Sequence, residues 1–368
     1  TKLNQQFSKI FSINFLIVNY QFYGRRLVQW LVLLPLAMPA YIIAYTYTGL
    51  LDFAGPVQSF IRDTLGASAH GYWFPEVRSL SGAVILMSLV LYPYVYILAR
   101  TAFSEQSQKY REVSELAGIS PLRHFFKVAL PLARPAIMTG AALTMMEALA
   151  DFGTVEYFGV STFTTGIYRT WFGLGDVNAA SQLSGFLCLF VFALVMLEKV
   201  SRRDSQNYSS RQGKSAQAKP VKGIVAILIL ILCCLPVTFG FIIPFAQLAI
   251  WAVSYSDLSS LADYPEYAFN SAMLAGIGAI VIVFMALMFS YAKRVKPSKT
   301  VSSFIQFVSL GYALPGTVIA IGVLVPLGWL DIKLNLFTNA WFDIKPGLVF
   351  SGTIFALIFA YAIRFMSV

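Results

Sequence analysis

The chain has 368 residues, of which 58% are hydrophobic, 15% aromatic and only 12% charged. Soluble domains carry about 25% charged residues, so this composition excludes a soluble enzyme or binding module, and equally a disordered, collagenous or disulfide-stapled chain. Twenty-seven Lys and Arg against 17 Asp and Glu would point to nucleic acid in a soluble protein. In a membrane chain they point to basic loops facing an anionic cytoplasmic leaflet.

Taken in chain order, apolar runs long enough to cross a bilayer lie at 27–51, 80–99, 133–153, 178–198, 223–250, 269–292, 302–330 and 347–366. A weaker run at 7–22 is interrupted by Asn14 and Asn19. None alternates with period two, as a barrel strand in an outer membrane would. Helices are the remaining way to satisfy a backbone in lipid, so the predicted fold is all-α, a polytopic transmembrane bundle. No small-residue cleavage pattern marks a signal peptide. Cys188, Cys233 and Cys234 sit inside apolar runs as small hydrophobes, and His70 and His124 lie far apart without ligand-like neighbours. No fixed metal site and no bound cofactor are expected.

The basic residues set the orientation. Arg25 and Arg26, the loop Arg100–Arg134, the segment Lys199–Lys222, the group Lys293–Lys299 and Arg364 hold 20 of the 27 Lys and Arg on alternate connections, the side predicted to be cytoplasmic. Asp52, Glu76, Glu156, Asp176, Asp331 and Asp343 fall on the other side. The polar stretch 201–222 reads as a flexible cytoplasmic linker between two membrane halves, 1–200 and 223–368. The halves look related. Leu34 to Ala44 aligns without a gap to Leu310 to Ala320, with Leu34, Ala37, Pro39, Ile43 and Ala44 recurring as identical residues. Prolines within these spans imply broken helices.

The loop at 105–131 is too long and too patterned for a plain connection. Glu105–Ala117 is predicted helical, with Val113, Leu116 and Ala117 on one apolar face, and Gly118 ends it as a C-terminal glycine does. Ser120 and Pro121 then open a second helix as N-cap and first residue, with Leu122, Phe125, Phe126, Ala129 and Leu130 forming its apolar face. Two short helices with exposed apolar faces on the cytoplasmic side make a docking knob; the plainer reading is an amphipathic loop lying on the lipid surface.

Glu112, Gly118, Leu130 and Pro131 at this spacing resemble the EAA loop of ABC importer permeases, with Val113 and Ser114 in place of its two alanines and Val128 in place of an isoleucine. Met146–Gly159, Thr164–Gly173, Leu91–Tyr96 and Gly24–Arg26 are similar to the ferric-iron branch of that family. The resemblance implies a type I importer permease (MetI-like) of two repeated halves. It also implies that the loop is a coupling helix seated in a cytoplasmic ATPase, expected in two copies, through Glu112, Glu115, Gly118, Pro121, Phe125, Leu130 and Pro131. A periplasmic binding protein would deliver substrate at the other face, and the site of action is the inner membrane. Against the family pattern the chain reads as truncated at both ends. Its first half lacks most of two helices, and its second half stops at Val368 before an EAA loop of its own.

Glu147 lies 13 residues past Arg134, ~20 Å into a ~30 Å core at 1.5 Å per residue. Asp151 is predicted one turn further on the same face, and Glu156 nearer the outer mouth. Acids at such depth face a bundle interior or a water-filled path, and hard oxygen donors suit a hard cation. Tyr92, Tyr94 and Tyr96 read as packing or interfacial residues. No Gly-x-x-x-x-Gly-Lys-[Ser/Thr] occurs, so ATP belongs to a partner and the chain is not itself an enzyme. The favoured function is ATP-driven import of ferric iron. Thiamine, phosphonate or polyamine import on the same architecture, an ion-coupled secondary transporter and a non-transporting scaffold remain open.

Overall fold

A computed structural model describes residues 13–66, 71–106, 112–114, 116–203, 218–254, 264–295 and 298–366. In chain order, helix α1 (13–19) leads into strand β1 (Tyr20–Gln21), followed by α2 (Arg25–Leu31), α3 (Ala40–Leu51), α4 (Pro56–Leu65) and α5 (Leu80–Glu105). Then come α6 (Pro121–His124), α7 (Leu130–Ala150), α8 (Gly153–Tyr157), α9 (Phe163–Tyr168) and α10 (Val177–Arg203). After strand β2 (Lys219–Pro220) follow α11 (Ile224–Val237), α12 (Ile243–Ser254), α13 (Tyr264–Val295), α14 (Lys299–Ser309), α15 (Gly316–Phe342) and α16 (Ile354–Phe365). The helical expectation holds.

Among the described residues six helices are long and apolar enough to span a membrane: Leu80–Glu105, Phe125–Ala150, Val177–Leu197, Ile224–Ser254, Tyr264–Val295 and Gly316–Phe342. The run expected at 27–51 is instead two pieces bent by 87°, Arg25–Ala37 and Ala40–Leu65. The run expected at 302–330 is also broken, into α14, a 3-10 turn at Leu310–Ala313, and α15. Both breaks are built alike. A 3-10 turn (Leu34–Ala37 or Leu310–Ala313) precedes an extended proline, Pro39 at φ −56°, ψ 136° and Pro315 at φ −59°, ψ 145°, which starts the next helix.

The last expected span, 347–366, is only the 12-residue helix Ile354–Phe365. The preceding segment is held off the helix by Asp331, which is fully buried on α15 rather than exposed in an outer loop. Its Oδ1 accepts from the Val349 and Phe350 amides at 3.0 and 2.8 Å, and its Oδ2 from the Ser351 amide and hydroxyl at 2.8 and 2.6 Å. One turn on, Asn335 exchanges two hydrogen bonds with the Gly347 backbone, at 2.7 and 3.0 Å. These bonds satisfy backbone groups that a non-helical segment leaves open.

Both ends of the segment expected as a linker, 201–222, carry secondary structure. Helix α10 runs on to Arg203, and β2 pairs in parallel with β1, Val221 donating to the Gln21 carbonyl at 2.9 Å. The remainder of 201–222, residues 204–217, lies outside the described residues.

The chain divides into two compact units. One comprises residues 1–148, 153–160 and 194–254; the other 149–152, 161–193 and 255–368. In the first, α11 packs on α2, and α12 on α3. Ile17, Val32, Tyr96 and Cys233 centre one cluster, Ile43, Ala44, Leu86 and Phe158 a second, and Ala99, Phe103, Ala129 and Ala133 a third. Gly140 lets α7 approach α5 closely, since a Cβ there would lie 2.7 Å from the Val95 Cα. In the second unit α16 packs on α13 and α15 around Ile319, Val323, Leu327 and Ala356.

Proline breaks open backbone carbonyls, and in the first unit tyrosines close them. The Val32 carbonyl in a 3-10 register would take its donor from residue 35, a proline with no N–H; the Tyr92 hydroxyl donates instead, at 2.6 Å. Between α11 and α12 a π-helical turn spans Thr238–Ile242, and Ile243 donates to Thr238. In that register the Phe239 carbonyl would look to Pro244; the Tyr47 hydroxyl supplies the bond at 2.5 Å. Tyr92 and Tyr96 are therefore buried backbone donors rather than interfacial residues, Tyr96 reaching the Gln29 carbonyl at 3.4 Å. Replacing Tyr92 or Tyr47 with Phe leaves a buried carbonyl unpaired, and each is expected to cost about 1–3 kcal/mol. Thermal unfolding in detergent checks this, with exposed Tyr23→Phe as the silent control.

Candidate functional site

Among the described residues of the loop after α5, two helical pieces meet at a turn. Helix α5 ends as Gln106 turns extended, and the Gln106 amide reaches across to the Ala129 carbonyl at 2.8 Å, tying the two ends of the loop together. Residues 112–114 and 116 are helical. Ala117 donates to Val113 and Ile119 back to Ser114, both at 2.9 Å, with Gly118 at φ +65° between them. That is the helix-ending turn expected at Gly118. A Cβ there would meet nothing within 4 Å, so glycine is needed for its backbone angle and not for space.

Ser120 then caps the second arm: its Oγ accepts from the Arg123 amide at 3.4 Å and its carbonyl from His124 at 2.9 Å. His124 Nδ1 and Ser114 Oγ, both buried, lie 2.8 Å apart and pin the arms to each other. This bond was not foreseen, because a contact across a turn leaves no periodic trace in the sequence.

Outward, the knob shows Val113 (63% exposed), Leu116 (88%) and Phe126 (51%), beside exposed Glu112 and Pro131. Phe125 is a correction. It was expected on the docking face, yet its ring packs edge-on at 4.8 Å from Phe15 and tilted at 6.3 Å from Phe103, and it is 4% exposed. It joins Ala129, Ala133 and Ile137 in one buried cluster, so of the two neighbouring phenylalanines expected on the apolar face only Phe126 faces out. A π-helical turn spans Phe125–Ala129. The turn lies just before Pro131, whose ring would strike the Lys127 carbonyl in an α register. Leu130 is half-buried. Glu115 lies outside the described residues, as does the Pro121 side chain, although the Pro121 backbone begins α6 as expected.

The acids are arranged differently from expectation. Glu147 lies on α7, half-buried, in the first unit. Asp151 is not one helical turn along the same face, because α7 ends at Ala150 and Asp151 is non-helical. Its carbonyl accepts from the Thr164 hydroxyl at 2.8 Å in the second unit. Glu156 lies on α8, whose first residue, Gly153, sits against Tyr41. Among the described residues no group of three His, Cys, Asp or Glu is placed to hold a metal ion.

Two changes probe the loop. Gly118→Val forces a β-branched residue into the left-handed region, expected to cost about 1–2 kcal/mol locally. Ser114→Ala removes the pin to His124, about 1 kcal/mol. Hydrogen exchange across 112–124 is expected to rise in both while the α5 amides stay protected.

Comparison with known proteins places the chain in a family. Residues 12–198 match the family described as "Binding-protein-dependent transport system inner membrane component". The chain is 26% identical to the Fe(3+)-transport system permease protein FbpB 2 of Haemophilus influenzae, over 84% of this chain and 58% of that protein. It is 25% identical to the molybdenum transport system permease protein ModB of the same organism, over 50% of this chain and 79% of that protein. To the sulfate transport system permease protein CysT of Escherichia coli it is 26% identical, over 39% of this chain and 48% of that protein. The chain thus spans little more than half the length of the ferric-permease relative FbpB 2. No solved structure matches it significantly. With a polytopic helical fold and half its length matched, the chain belongs to the family of inner-membrane components of binding-protein-dependent transport systems.

Proposed function

We propose that this chain is the membrane-spanning permease part of an ABC importer that takes up ferric iron from a periplasmic binding protein. A separate cytoplasmic ATPase, in two copies, would supply the work of ATP hydrolysis. The observation that carries the reading is the pinned, outward-facing knob at 112–131, with Val113, Leu116 and Phe126 exposed on a loop that the charge pattern assigns to the cytoplasm. An exposed apolar patch on a rigid support is what a partner protein grips. ATP-driven closure of the partner would move this knob and drive alternating access of the transport system to the two sides of the membrane.

Iron is favoured by the likeness to ferric permeases over most of the chain, and the carboxylates of Glu147, Asp151 and Glu156 are hard oxygen donors of the kind a ferric ion takes. An oxyanion importer is the second reading, supported by the likeness to molybdenum and sulfate permeases. Uptake of radioactive iron in cells carrying the cognate ATPase and binding protein separates the two. Iron uptake that molybdate and sulfate fail to suppress, and that Glu147→Gln with Asp151→Asn largely abolishes, is the expected result. Molybdate or sulfate uptake unaffected by the two substitutions would overturn the iron reading.

A further inference from the structure

The C-terminal turn of α13 and the first turn of α14 carry exposed cations, and α14 carries exposed aromatics. Lys293 and Arg294 close the last turn of α13 and Lys299 opens α14; all three are exposed. Helix α13 has 32 residues, ~48 Å at 1.5 Å per residue, against a hydrocarbon core of ~30 Å. Its basic end therefore emerges among lipid headgroups, on the side that the charge pattern makes cytoplasmic.

Helix α14 is two-faced. Ser298 caps it through the Val301 amide at 3.2 Å. At 100° per residue Val301, Phe304, Ile305, Phe307 and Val308 share one broad side, and Lys299, Ser302 and Ser303 the other. Val301, Ile305 and Val308 are half-buried, whereas Phe304 is 53% and Phe307 73% exposed, along one edge of the apolar side. The Phe304 ring leans on Phe289 of α13, centroids 5.7 Å apart, so it is held in place while still facing outward.

Arg25, which opens α2, uses its charge differently: its guanidinium turns inward, donating to the Ile17 and Val18 carbonyls at 2.6 and 3.1 Å. Lys293, Arg294 and Lys299 stay on the surface.

We infer that the C-terminal turn of α13 and helix α14 bind anionic phospholipid headgroups of the cytoplasmic leaflet. Lys293, Arg294 and Lys299 take the phosphate, while Phe304 and Phe307 enter the acyl boundary. Charge complementarity identifies the occupant: a basic cluster beside aromatics at the bilayer boundary fits an anionic interface, whereas a zwitterionic lipid gives the three cations no net charge to pair with.

The test uses the full chain reconstituted in nanodiscs of phosphatidylcholine, with or without phosphatidylglycerol of the same acyl chains. Lys293 and Lys299 are footprinted with an amine-acetylating reagent, and bound lipids are counted by native mass spectrometry. Phosphatidylglycerol is expected to shield both lysines several-fold relative to phosphatidylcholine alone and to be retained preferentially. The variant K293Q/R294Q/K299Q is expected to lose about tenfold in that preference. F304S/F307S is expected to weaken retention of both lipids. Equal labelling in the two membranes would overturn the inference, and so would shielding that needs an added ATPase rather than the lipid. The footprint on the unaltered chain decides the matter even if the triple variant fails to fold.

Discussion

Every span in this chain answers to one constraint: in hydrocarbon no water completes a backbone hydrogen bond, so each carbonyl that a proline strands must find a donor from within. The chain has 16 prolines and sets several of them inside its apolar runs. Where Pro35 and Pro244 remove a donor, Tyr92 and Tyr47 reach over from other helices to supply one. Each phenol thereby ties a neighbouring helix to a break that would otherwise be unstable. The bent entry into α3 and the widened turn between α11 and α12 are thus fixed corners, held by named side chains.

The same logic governs the loop. Pro131 cannot sit in a plain α-helix without displacing the carbonyl four residues before it, and the chain answers with a π-helical turn. At the start of that turn Phe125 packs with Phe15 and Phe103, while Phe126 stands at the surface. The Gln106 tie across the loop and the Ser114–His124 pin then hold the two described arms to each other and to the end of α5.

Much of this was legible beforehand. Long apolar runs gave the spans, Gly118 gave the turn, Ser120 and Pro121 gave the second arm, and the recurring Leu-x-x-Ala-x-Pro pattern gave two breaks of like geometry at Pro39 and Pro315. What escaped the reading depends on contacts remote in sequence or on where a helix stops. The burial of Phe125 follows from packing against Phe103 of another helix. Asp151 was placed on a helical face because nothing in Ala148–Phe152 announces that α7 stops at Ala150. Tyr92 and Tyr96 carry the same composition whether they line an interface or cap a carbonyl. Asp331 looked like an outer-loop acid, but it is buried on α15, where it gathers four donors from Val349–Ser351.

Composition leads to a bilayer, proline breaks to fixed corners, and those corners to a rigid projection with an apolar tip. That the projection stands in the cytoplasm as the grip for a separate ATPase is the central claim, and sidedness of thiol labelling tests it most directly. With Cys188, Cys233 and Cys234 replaced and a single cysteine installed as Leu116→Cys, a membrane-impermeant maleimide is expected to react in inside-out vesicles, to be blocked there by the cognate ATPase, and to leave right-side-out vesicles unlabelled. Labelling from the periplasmic side, or reaction in inside-out vesicles that no ATPase can block, would contradict the account.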